Sequence, residues 1–138
     1  MAHSAFSEAM RPVITGDDAN GRSLVVIDAP PSGEIGEPGL GGLFEIWHEA
    51  LSEPLDPKDG RERGETQPIL SPAQGRVKVR WFVIAPAPGG VPRETHNAAV
   101  RARFADFGAG DHVRDQSRHP AMHQTDTLDI ICLISGEA

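Results

Sequence analysis

Short apolar runs broken by glycine and proline, rather than long helical stripes, dominate the first two thirds of this chain and predict a loop-rich set of β-strands. Pro12 to Ile14 reads as a short strand, stopped by the turn-forming run Gly16-Asp17-Asp18-Ala19-Asn20-Gly21. Leu24 to Asp28 is a second strand, dense in β-branched residues and ended by Pro30-Pro31. The glycines and prolines from Pro30 to Gly42 predict a loop. In Leu43 to His48, simple alternation sets Leu43, Glu45 and Trp47 on one face and Phe44, Ile46 and His48 on the other.

Ser52 to Gly75 is polar and charged, which predicts a long surface loop. Arg76 to Ile84 is the clearest early strand: Val77, Val79, Trp81 and Val83 alternate against Lys78, Arg80, Phe82 and Ile84. Phe82 and Ile84 interrupt the polar side and predict burial of both faces at its end. One helix is expected, from Thr95 or Asn97 to Phe107, because Val100, Phe104 and Phe107 fall at i, i+4 and i+7. Asn97 can cap its start, and Gly108 stands where a left-handed C-terminal residue belongs. Asp111 to Arg118 is a charged connection into the last segment, MHQTDTLDIICLISGE.

At 138 residues the chain is read as a single domain, divided as 1–93 (strands and loops), 94–118 (helix and connection) and 119–138. A net charge of −7 without a lysine or arginine run disfavours nucleic acid and anionic membranes as partners. Cys132 is the only cysteine, which excludes an internal disulfide framework; its neighbours Ile131 and Leu133 predict a buried thiol. The start MAHSAFSEAMR lacks a basic region and an apolar core, and no run reaches the ~20 apolar residues of a membrane span. A cytoplasmic location is the expectation. No nucleotide-binding loop, nucleophile elbow or paired-carboxylate pattern is present.

In the last segment, His123, Thr125, Asp129 and Gly136 fall at the intervals of the first signature motif of the cupin superfamily (His-x-His, then Glu, then Gly). The segment resembles that motif, and more loosely the whole chain is similar to bacterial cupin-domain proteins with a helix shortly before a His-x-Thr-x-Thr-Leu-Asp stretch. The resemblance implies an all-β fold, a cupin-like jelly-roll β-barrel, incomplete at its C-terminus, with one short helix before the motif. It also implies a homodimer and a small-molecule or metal site in the barrel lumen. The superfamily's second motif should follow Gly136 by 15 to 40 residues. The chain given ends at Ala138, so the expectation is either a fragment or closing strands supplied by another subunit.

On that resemblance His123, Thr125 and Asp129 are the expected ligand-binding residues, and His123 and Asp129 the candidate ligands of a divalent metal (Fe, Mn, Ni or Zn). Thr125 stands where the superfamily has a second histidine, and Asp129 where it has glutamate; both changes weaken a metal site. Six residues of strand span ~20 Å, so for His123 and Asp129 to meet, the chain must fold back between Thr125 and Leu128 into two antiparallel strands. Beyond that turn, Leu128, Ile130, Cys132 and Ile134 would line one face, and Gly136 would supply a further turn.

His119 is a substitute ligand or, more simply, an exposed loop histidine; His48, His96 and His112 read as surface or locally bonded residues. Arg76, Lys78 and Arg80 read as a solvated strand face or a carboxylate-binding mouth, and Trp47 and Trp81 as core or interface. Two functions follow as expectations: a small-molecule-binding domain, or a non-catalytic dimerisation scaffold. The sequence leaves open whether the protein is an enzyme; if it is, His123 and Asp129 act as metal ligands, or as a neutral base and a carboxylate orienting a proton transfer.

Overall fold

The computed structural model describes residues 10–37, 41–64, 67–86, 89–106, 108–115, 117 and 119–137. They fall into two compact units, Met1–Pro92 and Arg93–Ala138. The first holds two antiparallel sheets. One pairs β1 (Val13–Asp17) with β2 (Ser23–Asp28); the other runs in the order β3 (Gly33–Glu37), β4 (Gly41–Ala50), β5 (Arg76–Val83). The second unit holds one helix, α1 (Arg93–Asp106), and a single 3-10 turn at Gly110–His112. The chain is thus mostly β, as expected, and among the described residues neither sheet closes into a barrel.

β1 and β2 join through a turn that the sequence announces. Asp18 accepts the backbone N–H groups of Asn20 and Arg22 at 2.7 and 3.0 Å, and Gly21 takes the positive φ that the reversal needs. β1 runs on to Asp17, which pairs with Ser23, so residues read as turn belong to the ladder.

β3 corrects the expectation of a loop from Pro30 to Gly42. Its five residues pair with Gly41 to Glu45 of β4. Glycine density there marks close backbone approach, not merely a turn. A Cβ on Gly36 would lie 2.5 Å from the Cα of Gly42 and 2.6 Å from the carbonyl oxygen of Gly41. Only glycine opposite glycine lets these strands meet.

A bulge in β4 corrects the predicted faces. Glu45 pairs with Arg80, but Trp47 pairs with Val79, so Ile46 is an extra residue without a partner. Partners across a ladder share a face, and the extra residue inverts every later side chain. Trp47 therefore shares the face of Phe44 and Trp81, while His48 joins Glu45, Lys78 and Arg80 on the other. Phe44 is fully buried and is the core of this unit, together with Glu45 and Arg63. The end of β5 is not buried on both faces: Phe82 and Ile84 are 42 and 70% exposed.

The loop from Ser52 to Gly75 has no helix or strand among its described residues, as expected, yet it is tied to the sheets along its length. Asp17, His48 and Leu51 donate their backbone N–H groups to the carbonyls of Pro57, Arg63 and Gly75 at 2.7, 2.8 and 2.9 Å. Arg63 stacks over the Trp47 ring at 4.9 Å and pairs with Glu49 and Asp59.

In the second unit α1 starts before Asn97, at Arg93, so Asn97 lies inside the helix and does not cap it; its buried Oδ1 has no hydrogen-bond partner among the described residues. Phe104 is buried and Val100 half-buried, as the apolar stripe requires; Phe107 lies outside the described residues. The helix ends as predicted on Gly108 at φ 67°, with Gly108 N–H on the Ala105 carbonyl and Ala109 N–H on the Phe104 carbonyl. That pair of bonds is the Schellman ending, and Ala109 is fully buried behind it.

Candidate functional site

After the 3-10 turn, Val113 and His123 form an isolated antiparallel bridge. It is extended by Arg114 N–H to the Met122 carbonyl (2.9 Å) and Gln124 N–H to the His112 carbonyl (3.0 Å). His123 therefore pairs backward with the connection, not forward with residues 129–134. The expected hairpin is absent: the chain bends at Asp126 and Thr127, but no strand or ladder follows from Leu128 to Ile134 among the described residues. Gly136, at φ 92°, does sit in a bend. A strand needs a neighbour to satisfy its backbone, and no described strand lies alongside this run.

Three histidines take defined tautomers. His123 Nδ1 lies 2.8 Å from the Ala121 carbonyl and His112 Nδ1 lies 3.0 Å from the Gln124 carbonyl. A carbonyl only accepts, so both rings carry the proton on Nδ1 and, when neutral, present the Nε2 lone pair. His119 is the reverse. Its Nδ1 accepts the Ala121 N–H at 3.1 Å, which leaves the proton on Nε2 in the neutral ring. One residue, Ala121, is thus bonded to a histidine at both its N–H and its carbonyl. The exposed His123 ring also packs on Phe104, with centroids 5.1 Å apart and planes tilted by 55°.

Thr125 and Asp129 are brought together, through a residue between them. Thr127 donates its hydroxyl to Asp129 Oδ1 at 2.9 Å, and the Thr125 and Thr127 oxygens lie 2.7 Å apart. Thr127 has one proton and it is on Asp129, so Thr125 must donate to Thr127. The hydroxyls form a directed chain that ends on a carboxylate. Its open valences are all acceptors: the lone pairs of Thr125, the remaining lone pairs of Asp129, and nearby in sequence the Nε2 of His123.

Among the described residues, no three His, Cys, Asp or Glu side chains are placed to hold a metal ion. With His123 Nδ1 on a carbonyl and Asp129 Oδ1 on Thr127, the donors among the described residues fall short of the three protein ligands a catalytic zinc needs. The described residues do not fit a cupin-type metal.

Other expectations change. Cys132 is exposed, not buried, as are the apolar residues on either side of it. Lys78 and Arg80 do not form a solvated face: their side chains are 5 and 16% exposed. Arg80 donates to Glu45 Oε1 at 2.6 Å and to the Ile69 and Leu70 carbonyls at 2.8 Å, and Lys78 donates to the Ile69 carbonyl at 2.8 Å. These donors clamp the loop to the sheet and do not form a carboxylate mouth. Sequence reading missed the cluster, although Glu45 opposite two cations on a neighbouring apolar strand was a signal for it. His48 is half-buried in β4, His112 is locally bonded as expected, and His119 is exposed.

A shallow depression of ≈ 160 Å³ is lined by Met10, Arg11, Asp28, Ala29 and Pro30. It is smaller than ligand pockets of roughly 300–1,000 Å³. Its two charges satisfy each other through Arg11 Nε and Nη2, each 2.6 Å from an Asp28 oxygen. That pairing holds the Asp28 carboxyl below the usual carboxylate range and raises Arg11, chiefly through the hydrogen bonds. Asp115 is likewise held down, first by the Ser117 backbone N–H and then by its hydroxyl.

Compared with protein-family models, curated proteins and solved structures, the chain matches nothing in any of the three.

Proposed function

We propose that the chain is a small-molecule-binding domain of cupin type, in which Thr125, Thr127 and Asp129, with His123, hold a polar organic ligand by hydrogen bonds. The directed hydroxyl chain from Thr125 to Asp129 is the observation that carries this reading. Every open valence there accepts, so the complementary ligand is rich in donors: a polyol or an amine, not an anion. A metal would have to take its further ligands from outside the residues described. The reading is tested by following the His123 and Thr125 resonances while adding glucose, a polyamine, citrate or Zn²⁺ to dialysed protein. Saturable shifts with the sugar or the polyamine, weakened about tenfold or more by Asp129→Asn, are expected. Shifts with citrate alone, or stoichiometric zinc that survives chelation, would overturn it.

A second reading, the non-catalytic scaffold, is favoured by one observation. Leu128, Ile130, Ile131, Leu133 and Ile134 are 61–91% exposed, an apolar run suited to association. The described residues include no helix long and apolar enough to cross a membrane.

A further inference from the structure

We propose that Asn20 is a site of spontaneous deamidation, at which the Gly21 nitrogen closes a ring on the Asn20 side chain and Asp18 sets the pace. Both residues lie in the turn between β1 and β2, and both are exposed. Ring closure makes two demands on them. The side-chain Cγ must come within bonding reach of the next backbone nitrogen, and that nitrogen must belong to a residue without a Cβ in the way. Gly21 meets the second demand: at φ 76°, a Cβ there would have nothing within 4 Å among the described residues. The chain's other asparagine, Asn97, meets neither. It lies inside α1 and is followed by Ala98, whose N–H belongs to the helix.

The chemistry balances with water as the only co-reactant. The bond from Gly21 N to Asn20 Cγ forms, the Cγ–Nδ2 bond breaks, and the Gly21 N–H proton leaves with Nδ2 as ammonia. Water then opens the cyclic imide at one carbonyl or the other. One opening gives aspartate; the other gives isoaspartate, with the main chain running through Cβ and Cγ. Either product adds one negative charge to the −7 of the chain.

The turn holds this reaction back. Gly21 N–H donates to the Asp18 carbonyl at 3.0 Å, and Asp18 Oδ1 accepts from the Asn20 and Arg22 N–H groups at 2.7 and 3.0 Å. A nitrogen turned toward that carbonyl cannot attack Asn20, so the turn must open first. The rate is then the free-chain rate scaled by the fraction of time spent open. Isoaspartate lengthens the main chain by one atom between Asp18 and Arg22, whose N–H to carbonyl bond at 2.9 Å closes the hairpin. Aspartate keeps the length and only adds charge beside Asp17 and Asp18. This inference is independent of the ligand site.

The test is to age the full chain in warm, mildly alkaline buffer and follow the peptide that carries Asn20 by mass spectrometry. The same chain in concentrated guanidinium chloride serves as the open reference. A gain of about 1 Da in that peptide is expected, with isoaspartate among the products and Asn97 unchanged. The folded chain should convert more slowly than the open reference. Asp18→Ala should speed it about fivefold or more, since it removes the acceptor of two N–H groups. Asp18→Asn, which keeps an Oδ1 acceptor without the charge, should convert at close to the original rate. Isoaspartyl protein separated by anion exchange should exchange its Asp18 and Arg22 amide protons faster than the unaged chain. An Asn20 peptide that stays unchanged while the open reference converts would overturn the proposal. So would conversion to aspartate alone, which needs no ring, or a folded rate that Asp18→Ala leaves unaltered.

Discussion

Under the Ile69–Leu70 segment, Glu45, Lys78 and Arg80 keep side-chain exposures of 0, 5 and 16%, while from Leu128 to Ile134 five aliphatic residues keep 61–91%. Charge is inside in one region and hydrocarbon is outside in the other. The difference lies in what each stretch has for neighbours. β4 lies between two strands and beneath a loop whose carbonyls accept from Lys78 Nζ and from both Nη atoms of Arg80, so most of the cluster's charge leaves water with partners in place. The run after Thr127 has no described strand beside it, so its apolar surface stays in water whatever its hydropathy. Burying five such side chains is worth on the order of 10 kcal/mol, which the run forgoes as it stands. Burial here follows partners, and composition only sets what a partner would gain.

The largest effect that would sharpen this contrast is expected from Glu45→Ala. It removes the carboxylate that Arg80 and Lys78 face across the ladder and should cost about 3–5 kcal/mol, read as a lower urea midpoint. A loss under ~1 kcal/mol would mean that water reaches the cluster and that its burial is only nominal. Next comes Arg63→Ala, which removes the stacking on Trp47 and leaves the half-buried Glu49 with the exposed Arg61. About 2 kcal/mol is expected in the same measurement, with a change in Trp47 fluorescence. On the other side of the comparison, Ile130→Ser with Ile131→Ser should change stability by no more than ~0.5 kcal/mol while reducing binding of an apolar dye. A cooperative loss of several kcal/mol would show that the run is covered in solution, and the contrast would break.

The smallest effect concerns pH. Arg11 holds the Asp28 carboxyl down and Ser117 holds down Asp115, so each group contributes stability that is fully present above the ordinary carboxylate value of ~3.9. It is lost as the pH falls through the lower folded value. A carboxyl-carbon NMR titration should show both groups protonating below the usual range, with Arg11→Ala returning Asp28 toward it.

The strands at Leu24–Asp28 and Arg76–Val83, and the helix end at Gly108, could be read in the sequence because their signals are local. Alternation, β-branching and a C-terminal glycine act on a few neighbouring residues. β3 could not, since its five residues look like any glycine-rich loop until Gly36 is set against Gly42. The faces of β4 failed for a similar reason: nothing before Ile46 marks it as supernumerary, and only the ladder with β5 reveals it. At the candidate site, the resemblance singles out Thr125 and Asp129 but not Thr127, which joins them. The partner of His123 was not legible either, because the bridge it makes with Val113 joins residues ten apart. The hairpin was expected from the resemblance, which presupposes a strand for residues 128–134 to join.

Ile46 also makes β4 unequally tolerant of indels. Removing that one codon would set Trp47 directly after Glu45, still opposite Val79, so the ladder would lose its bulge and keep every pair and every face. A codon lost at Phe44 would instead set Glu45 opposite Trp81 and carry its carboxylate away from Arg80. A codon lost from Leu51 to Pro54 shortens exposed chain that belongs to no ladder. In a lineage of such chains, length should therefore drift in the loop and at position 46, and stay fixed along the rest of the ladder.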